Sequence, residues 1–303
     1  MSAPKVSVLI PAYNAAPFLA DCIKSVLAQD FQDYELLVSD DCSTDGTAAV
    51  IEKFAAKDSR IRWWRNSKNL YQAENFNLCL QSARGEFIKL LFADDILLGT
   101  GSLGKMVSVL EQQPAVSLVG SASWVIDEHG RKLGGRDPFR RTGSWDGREV
   151  IVRCFETPGN IIGEPSLVMF RRSQFGGGFN GRYRQLIDLE FFFHLLEQGD
   201  FAYLAEPLAA WRQHDNQMTA ANRRSGLAAK EDLWLIQEWF ARPWLQARAT
   251  RQMLFMQIRH LSRLYGCEAD ALTTEMLRRL GRGWYAAYWL KRKITRPLKK
   301  LAH

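Results

Sequence analysis

The chain reads as an α/β protein: a mostly parallel sheet with flanking helices, followed by a C-terminal helical extension. Three observations predict this. Short apolar runs alternate with helix-spaced segments over short connections, the pattern of βαβ units with right-handed crossovers. Two of the runs end in paired acids, Leu36-Leu37-Val38-Ser39-Asp40-Asp41 and Leu90-Leu91-Phe92-Ala93-Asp94-Asp95. Charge is also split: residues 1–220 hold 23 Lys and Arg against 27 Asp and Glu, a net of −4, whereas residues 221–303 hold 17 against 6, a net of +11. A near-neutral body with a basic tail fits an enzyme carrying an electrostatic anchor.

The elements follow in order. Val6–Ile10 is a first buried strand, expected to stop at Pro11. Phe18, Leu19, Cys22, Ile23, Val26 and Leu27 recur at helical spacing, so a helix runs from about Pro17 to Gln29, with Pro17 in its first turn. Tyr34–Ser39 is the second strand, and the turn Ser43-Thr44-Asp45-Gly46 leads into a helix from Thr47 to about Lys57. Ile61–Arg65 and Gly85–Phe92 are the third and fourth strands, with a helix over Glu74–Ala83 between them. Ser117–Asp127 is a further strand that turns at Asp127-Glu128-His129-Gly130. The Gly- and Arg-rich stretch 130–148 is expected to be a loop over the site, Gly176-Gly177-Gly178 a tight or flexible segment, and Leu186–Gln198 a helix. From about Ser225 the pattern is helical throughout.

Composition narrows the class. The 303 residues suit one large domain or a domain with an appendage, and 47% hydrophobic residues permit a sizeable core. Five scattered cysteines without CxxC spacing argue against a disulfide framework or zinc site and fit a reducing cytoplasm. The start has no signal-peptide pattern, and no apolar run approaches the ~20 residues that span a bilayer. The expectation is a cytoplasmic protein, soluble or peripheral at the inner face of the cell membrane.

In open α/β sheets ligands sit beyond the carboxyl ends of the strands. Two acid-tipped strands therefore predict a site for a divalent cation and a phosphate-bearing ligand; surface turns rich in Asp are the competing explanation. Val6–Asn14 and Ser39–Thr47 together resemble the opening of family 2 glycosyltransferases with the GT-A fold. The resemblance continues through Asn69–Asn77, Gly85–Asp95, Gly163–Ser166 and Asp188–Glu190, and ends near Trp211-Arg212-Gln213-His214. It implies a GT-A catalytic domain over residues 1–220, with a donor half of about 1–116 and an acceptor half of about 117–220. Residues 221–303 remain as the basic, aromatic extension.

The resemblance also implies roles. Pro11, Tyr13 and Asn14 would face the nucleotide, with Asp40 able to accept a base N–H and Asp41 holding loop N–H groups. Asn69, Gln72 and Asn75 match a segment near the donor, with Tyr71 where a glycine is common. Asp94 matches the metal-binding position of the family's Asp-x-Asp, with Asp95 following; Phe92 replaces the first Asp, which puts the ribose contact in question. Mn²⁺ or Mg²⁺ would be the ion, and His214 a further metal or diphosphate contact, against the alternative of a structural histidine. Asp188 matches the base position, which implies inversion at the anomeric carbon. Locally, Asp188 also suits a helix N-terminus, and Glu190 rivals it as base. Glu164 and Glu190 would contact the acceptor.

The activity so implied moves one sugar from a nucleotide-diphosphate sugar, UDP-linked by family habit, to a hydroxyl of a glycan or lipid-linked glycan in surface polysaccharide synthesis. A catalytically silent binding module is the first alternative, motivated by Phe92. A nucleotidyltransferase is the second, but Pro11-Ala12-Tyr13-Asn14 offers no Gly-rich phosphate loop. Residues 277–300 mix nine Lys and Arg with Trp284, Tyr285, Tyr288 and Trp289, which suits an anionic membrane surface. The tryptophan-bearing helices would serve equally as a dimer face. No nucleic-acid reading motif accompanies the basic tail.

Overall fold

The computed structural model describes residues 3–157, 160–214 and 227–248. The basic stretch 277–300 and most of the helical extension lie outside the described residues. Chain contacts group into two compact units, residues 1–151 with 160–228, and residues 152–159 with 229–303.

The first unit is built on a ten-stranded sheet in the order β3-β2-β1-β4-β9-β6-β10-β5. β1 (Val6–Ala12), β2 (Tyr34–Asp40), β3 (Ile61–Arg65) and β4 (Phe87–Leu90) are mutually parallel, as the alternation with α1 (Ala16–Leu27), α2 (Thr47–Ala55) and α3 (Tyr71–Ser82) requires. β6 (Val116–Ile126) and β10 (Asp200–Arg212) are parallel to each other, and β9 (Val168–Arg171) joins β4 to β6 by antiparallel pairing. β5 (Ile96–Leu97) pairs antiparallel with β10.

Every residue of β1 and β2 is buried, because helices cover both faces of the sheet. Val6, Val8 and Ile10 share one core with Leu19, Cys22, Ile23 and Val26 of α1, Ile51 of α2, and Leu103 and Met106 of α4 (Ser102–Gln112). Aromatic rings dominate elsewhere. Phe179 stacks on Phe191 of α6 (Ile187–Leu196) at 4.2 Å, and Phe76 of α3 meets Phe179 edge-on at 5.0 Å.

β1 does not stop at Pro11 but continues to Ala12, which pairs with Asp40. Leu91 donates its N–H to Leu9 O, so Leu9, and Pro11 two residues on, face β4. β4 ends opposite Leu9, and the missing proline N–H therefore leaves no ladder bond unmade. The stretch 130–148 is also not wholly loop. β7 (Lys132–Arg136) pairs with β6 and β8 (Gly143–Trp145) with β10. Glycines give these segments little strand propensity of their own; pairing with long, already ordered strands supplies it. α5 (Gly147–Glu156) completes the region.

In the second unit, α7 (Leu227–Phe240) and α8 (Pro243–Arg248) bury Leu235, Ile236, Trp239 and Leu245. Phe155 meets Phe240 edge-on at 5.6 Å, and the Arg242 guanidinium lies 3.6 Å over the Trp239 ring.

Candidate active site

The ends of β1, β2 and β3 are sewn together by backbone and carboxylate. Asp41 donates its N–H to Ala12 O at 2.8 Å, and Asn66 donates its N–H to Asp40 O at 2.8 Å. Asp40 is fully buried; its Oδ1 accepts the Ser43 N–H at 3.0 Å. Its Oδ2 lies 3.3 Å from Arg65 Nε, but off the hydrogen-bond direction, so that buried oxygen has no hydrogen-bond partner. Asp41 Oδ1 accepts from Asn66 Nδ2 and the Leu70 N–H, both at 2.8 Å. The two acids thus divide the work: Asp41 orders the loop, and Asp40 keeps one oxygen without a hydrogen bond beside Arg65.

Tyr13, one residue past β1, is 52% exposed. Asn14 adopts a φ of 48° and its Oδ1 accepts the Thr44 N–H at 2.9 Å, which ties the β1 and β2 ends together. Asn69 Oδ1 accepts the Tyr71 N–H at 2.7 Å. Asn75 is buried, and its Oδ1 takes Ser39 Oγ at 2.6 Å and Asn66 Nδ2 at 3.1 Å. The side-chain oxygens of Asn14, Asn69 and Asn75 therefore hold the loops at this end of the sheet. An isolated motif cannot distinguish an asparagine that touches a ligand from one that shapes the loop touching it.

The second acid pair follows β4. Asp95 is buried: its Oδ2 accepts Ser166 Oγ at 2.5 Å, and its Oδ1 accepts the Arg212 N–H at 2.8 Å. Burial, with Asp94 alongside, pushes its carboxyl well above the usual carboxylate range. Ser166 Oγ also accepts the Phe92 N–H at 2.9 Å, and the buried Lys89 ammonium donates to Ser166 O and, at 3.2 Å, to Val168 O. Asp95 is accordingly the staple of the turn. Phe92 packs its ring 5.6 Å from Phe76, so the position that carries the family's first Asp is apolar here.

Asp94 is left at the surface of this frame. Its Oδ2 lies 3.1 Å from His214 Nε2, a pairing across 120 residues. Arg212 makes it possible: Nε donates to Asp94 O at 2.8 Å and Nη1 to Asp127 O and Glu128 O at 3.1 Å, while the guanidinium lies 5.0 Å over Phe18. Phe18 in turn sits 4.9 Å from the His214 ring. A carboxylate oxygen and an imidazole nitrogen at this spacing fit one Mn²⁺ or Mg²⁺. Neighbouring ligands of an octahedral ion at ~2.1 Å stand about 3.0 Å apart.

Around the segment expected to meet an acceptor, Arg136 Nη1 donates to Glu164 Oε1 at 2.6 Å, and Glu164 Oε2 is buried without a hydrogen-bond partner. Asn160 Nδ2 donates to Gly163 O at 2.7 Å and stands 3.5 Å from Asp188 Oδ2. Asp188 opens α6, where its Oδ1 accepts the Leu189 N–H at 2.8 Å. Glu190, two residues on, keeps its buried Oε2 without a hydrogen-bond partner. It is 2% exposed, with Oε1 3.0 Å from His194 Nε2 and 3.4 Å from Asn180 Nδ2. Its place one helical turn before His194 turns it inward. In the sequence Asn160 carries no assigned role, and Ser166 and Arg212 enter only as members of the motif segments Gly163–Ser166 and Trp211–His214.

Residues 7–176 match the family described as Glycosyl transferase family 2. The chain is 38% identical over 130 residues to a putative glycosyltransferase, EpsE, of Bacillus subtilis, a match covering 43% of this chain and 46% of that protein. It thus spans less than half of that relative. It is 29% identical over 218 residues to the putative teichuronic acid biosynthesis glycosyltransferase TuaG of the same organism, covering 72% and 82%. In three dimensions it resembles S. aureus TarS residues 1–349 in complex with UDP-GlcNAc, with a TM-score of 0.68 at 17% identity over 91% of this chain and 80% of that one. The mannosyltransferase PcManGT from Pyrobaculum calidifontis, in complex with GDP-Man and Mn2+, superimposes with a TM-score of 0.59 at 20% identity over 99% and 84%. These likenesses show the fold, which is GT-A.

Proposed function

The chain belongs to glycosyl transferase family 2, and on that footing we propose that it is an inverting, metal-dependent transferase acting from a nucleoside-diphosphate sugar. The observation that carries the reading is the convergence of Asp94 and His214, 3.1 Å apart, at the carboxyl edge of the sheet. Asp95, Ser166 and Arg212 hold the turn that presents Asp94, so its carboxylate is positioned before any ligand arrives. Mn²⁺ or Mg²⁺ held there would take up the charge that develops on the departing diphosphate. Tyr13 and the Asp40 oxygen that lacks a hydrogen bond would receive the nucleobase. UDP is the favoured carrier, supported by TarS with UDP-GlcNAc; PcManGT with GDP-Man keeps guanine in contention.

Asp188 serves as the base. It accepts the proton of the acceptor hydroxyl as that oxygen bonds to the anomeric carbon and the carbon–diphosphate bond breaks. Asn160 beside it fixes the orientation of the carboxylate. Glu164, with one buried oxygen unpaired, binds an acceptor hydroxyl. The acceptor is a glycan or lipid-linked glycan of a surface polysaccharide, a reading supported by the likeness to TuaG. The test is turnover of a nucleotide-sugar panel with Mn²⁺. Asp188→Asn should lower transfer by about 10²–10⁴ while nucleotide affinity is kept. Undiminished transfer by the variant would remove Asp188 from the mechanism.

A further inference from the structure

We propose that Tyr71 is a wall of the nucleobase site, stacking on the donor's base and helping to decide which base is accepted. The inference rests on the donor reading above and goes beyond it.

Conformation is the first support. Tyr71 heads α3 with a φ of 62°, in the left-handed region where a bulky residue is an outlier. Its neighbours hold it there: Asn69 Oδ1 accepts the Tyr71 N–H, and the Leu70 N–H is bound to Asp41. Exposure is the second. Tyr71 is 72% exposed; with Tyr13 and Leu133 it makes up the exposed large hydrophobics among the described residues. A ring in water, on a strained backbone, adds no packing to the fold, and such an outlier points to a ligand.

Placement is the third. Tyr13 follows Ala12, whose carbonyl accepts the Asp41 N–H; Tyr71 follows Leu70, whose N–H binds the Asp41 carboxylate. The two tyrosines therefore each stand one residue from a group bound to Asp41, Tyr13 at the end of β1 and Tyr71 at the head of α3. Next to Asp41 stands Asp40, whose buried Oδ2 has the Arg65 guanidinium 3.3 Å away but no hydrogen-bond partner. An acceptor without a hydrogen bond, with exposed aromatics tied to its neighbouring residue, complements a planar heterocycle with a ring N–H. Uracil, thymine and guanine carry that ring N–H beside a carbonyl. Cytosine presents a lone pair at the corresponding nitrogen, which Asp40 would repel.

Calorimetric titration of the full chain with UDP, dTDP, GDP and CDP, each with Mn²⁺, tests this, with Mn²⁺-pyrophosphate as the base-free probe. UDP, dTDP or GDP should bind tightest and CDP weakest. Tyr71→Gly should weaken the tightest nucleotide at least about fivefold. It should leave pyrophosphate binding unchanged and Tm unchanged or raised, since glycine takes this φ without strain. Tyr71→Phe should keep wild-type affinity. Equal nucleotide affinity in Tyr71→Gly and wild type would overturn the proposal, and so would a parallel loss of pyrophosphate binding, which would mark Tyr71 as a purely structural residue. A wild type that binds none of the four nucleotides would instead remove the donor reading itself.

Discussion

Asp94 and Asp95 are adjacent in sequence and opposite in use. Asp95 is sealed between Ser166 and the Arg212 N–H, whereas Asp94 meets His214. The resemblance pointed to Asp94 and His214 because each occupies a motif position. Of the two acids it gave the metal position to Asp94 alone, and the fold adds why Asp95 differs: Ser166, 71 residues away, holds it inside the frame. Glu190 reads in sequence as an acid near a catalytic candidate, and only the helix shows its contact with His194. His214→Ala should lower transfer at least about tenfold, with partial recovery at raised Mn²⁺, because a neutral ligand is lost and Asp94 remains. Activity unaffected at limiting Mn²⁺ would make His214 a structural partner of Phe18.

At the level of elements, the parallel half of the sheet was legible because β1, β2 and β4 are buried throughout and read as mainly apolar runs. β3, a half-exposed edge strand, follows from the alternation with helices. α4, α5, β9 and β10 were not assigned from the sequence, and β7 and β8 take their form from pairing. The amino edge of the sheet, opposite the candidate site, is held by Glu35. Its carboxylate accepts from Ser7 Oγ at 2.7 Å, the Arg84 N–H at 2.8 Å, and the guanidinium groups of Arg84 and Arg62. Burial alone would raise its pKa, but these donors outweigh burial and hold it below the ordinary 4.5. A lowered folded value means this stabilisation is complete above about pH 5 and fades as pH falls through the folded pKa. Glu35→Gln should therefore cost about 1–3 kcal/mol at pH 7 and much less near pH 3, as read by urea unfolding. An equal cost at both values would contradict the assignment. Next to it, a Cβ on Gly85 would stand 2.4 Å from Ser7 N and 2.6 Å from Val6 C, both backbone. Gly85→Ala should destabilise by about 2–3 kcal/mol or more, seen as a lowered Tm; an unchanged Tm would contradict the tight approach of β4's entry to β1.

At the level of the whole molecule, the chain joins a GT-A body of net charge near zero to a strongly basic C-terminal region. Among the described residues no helix is long and apolar enough to cross a membrane. Attachment through residues 277–303 therefore remains a proposal from composition, with each basic residue near an anionic surface contributing about 1 kcal/mol. Full-length protein should sediment with phosphatidylglycerol vesicles, and protein lacking residues 277–303 should not; equal sedimentation would refute the anchor.

The claim on which the rest depends is that Asp94, held out by the Asp95 staple, binds the donor's diphosphate through a divalent ion. Its most direct test is calorimetric titration of wild type and Asp94→Asn with UDP and GDP, with and without Mn²⁺. Wild type should bind one of the two tightly only when Mn²⁺ is present, and Asp94→Asn should lose that metal-dependent gain with its Tm preserved. Equal affinity in the two proteins, or wild-type binding indifferent to Mn²⁺, would contradict the account.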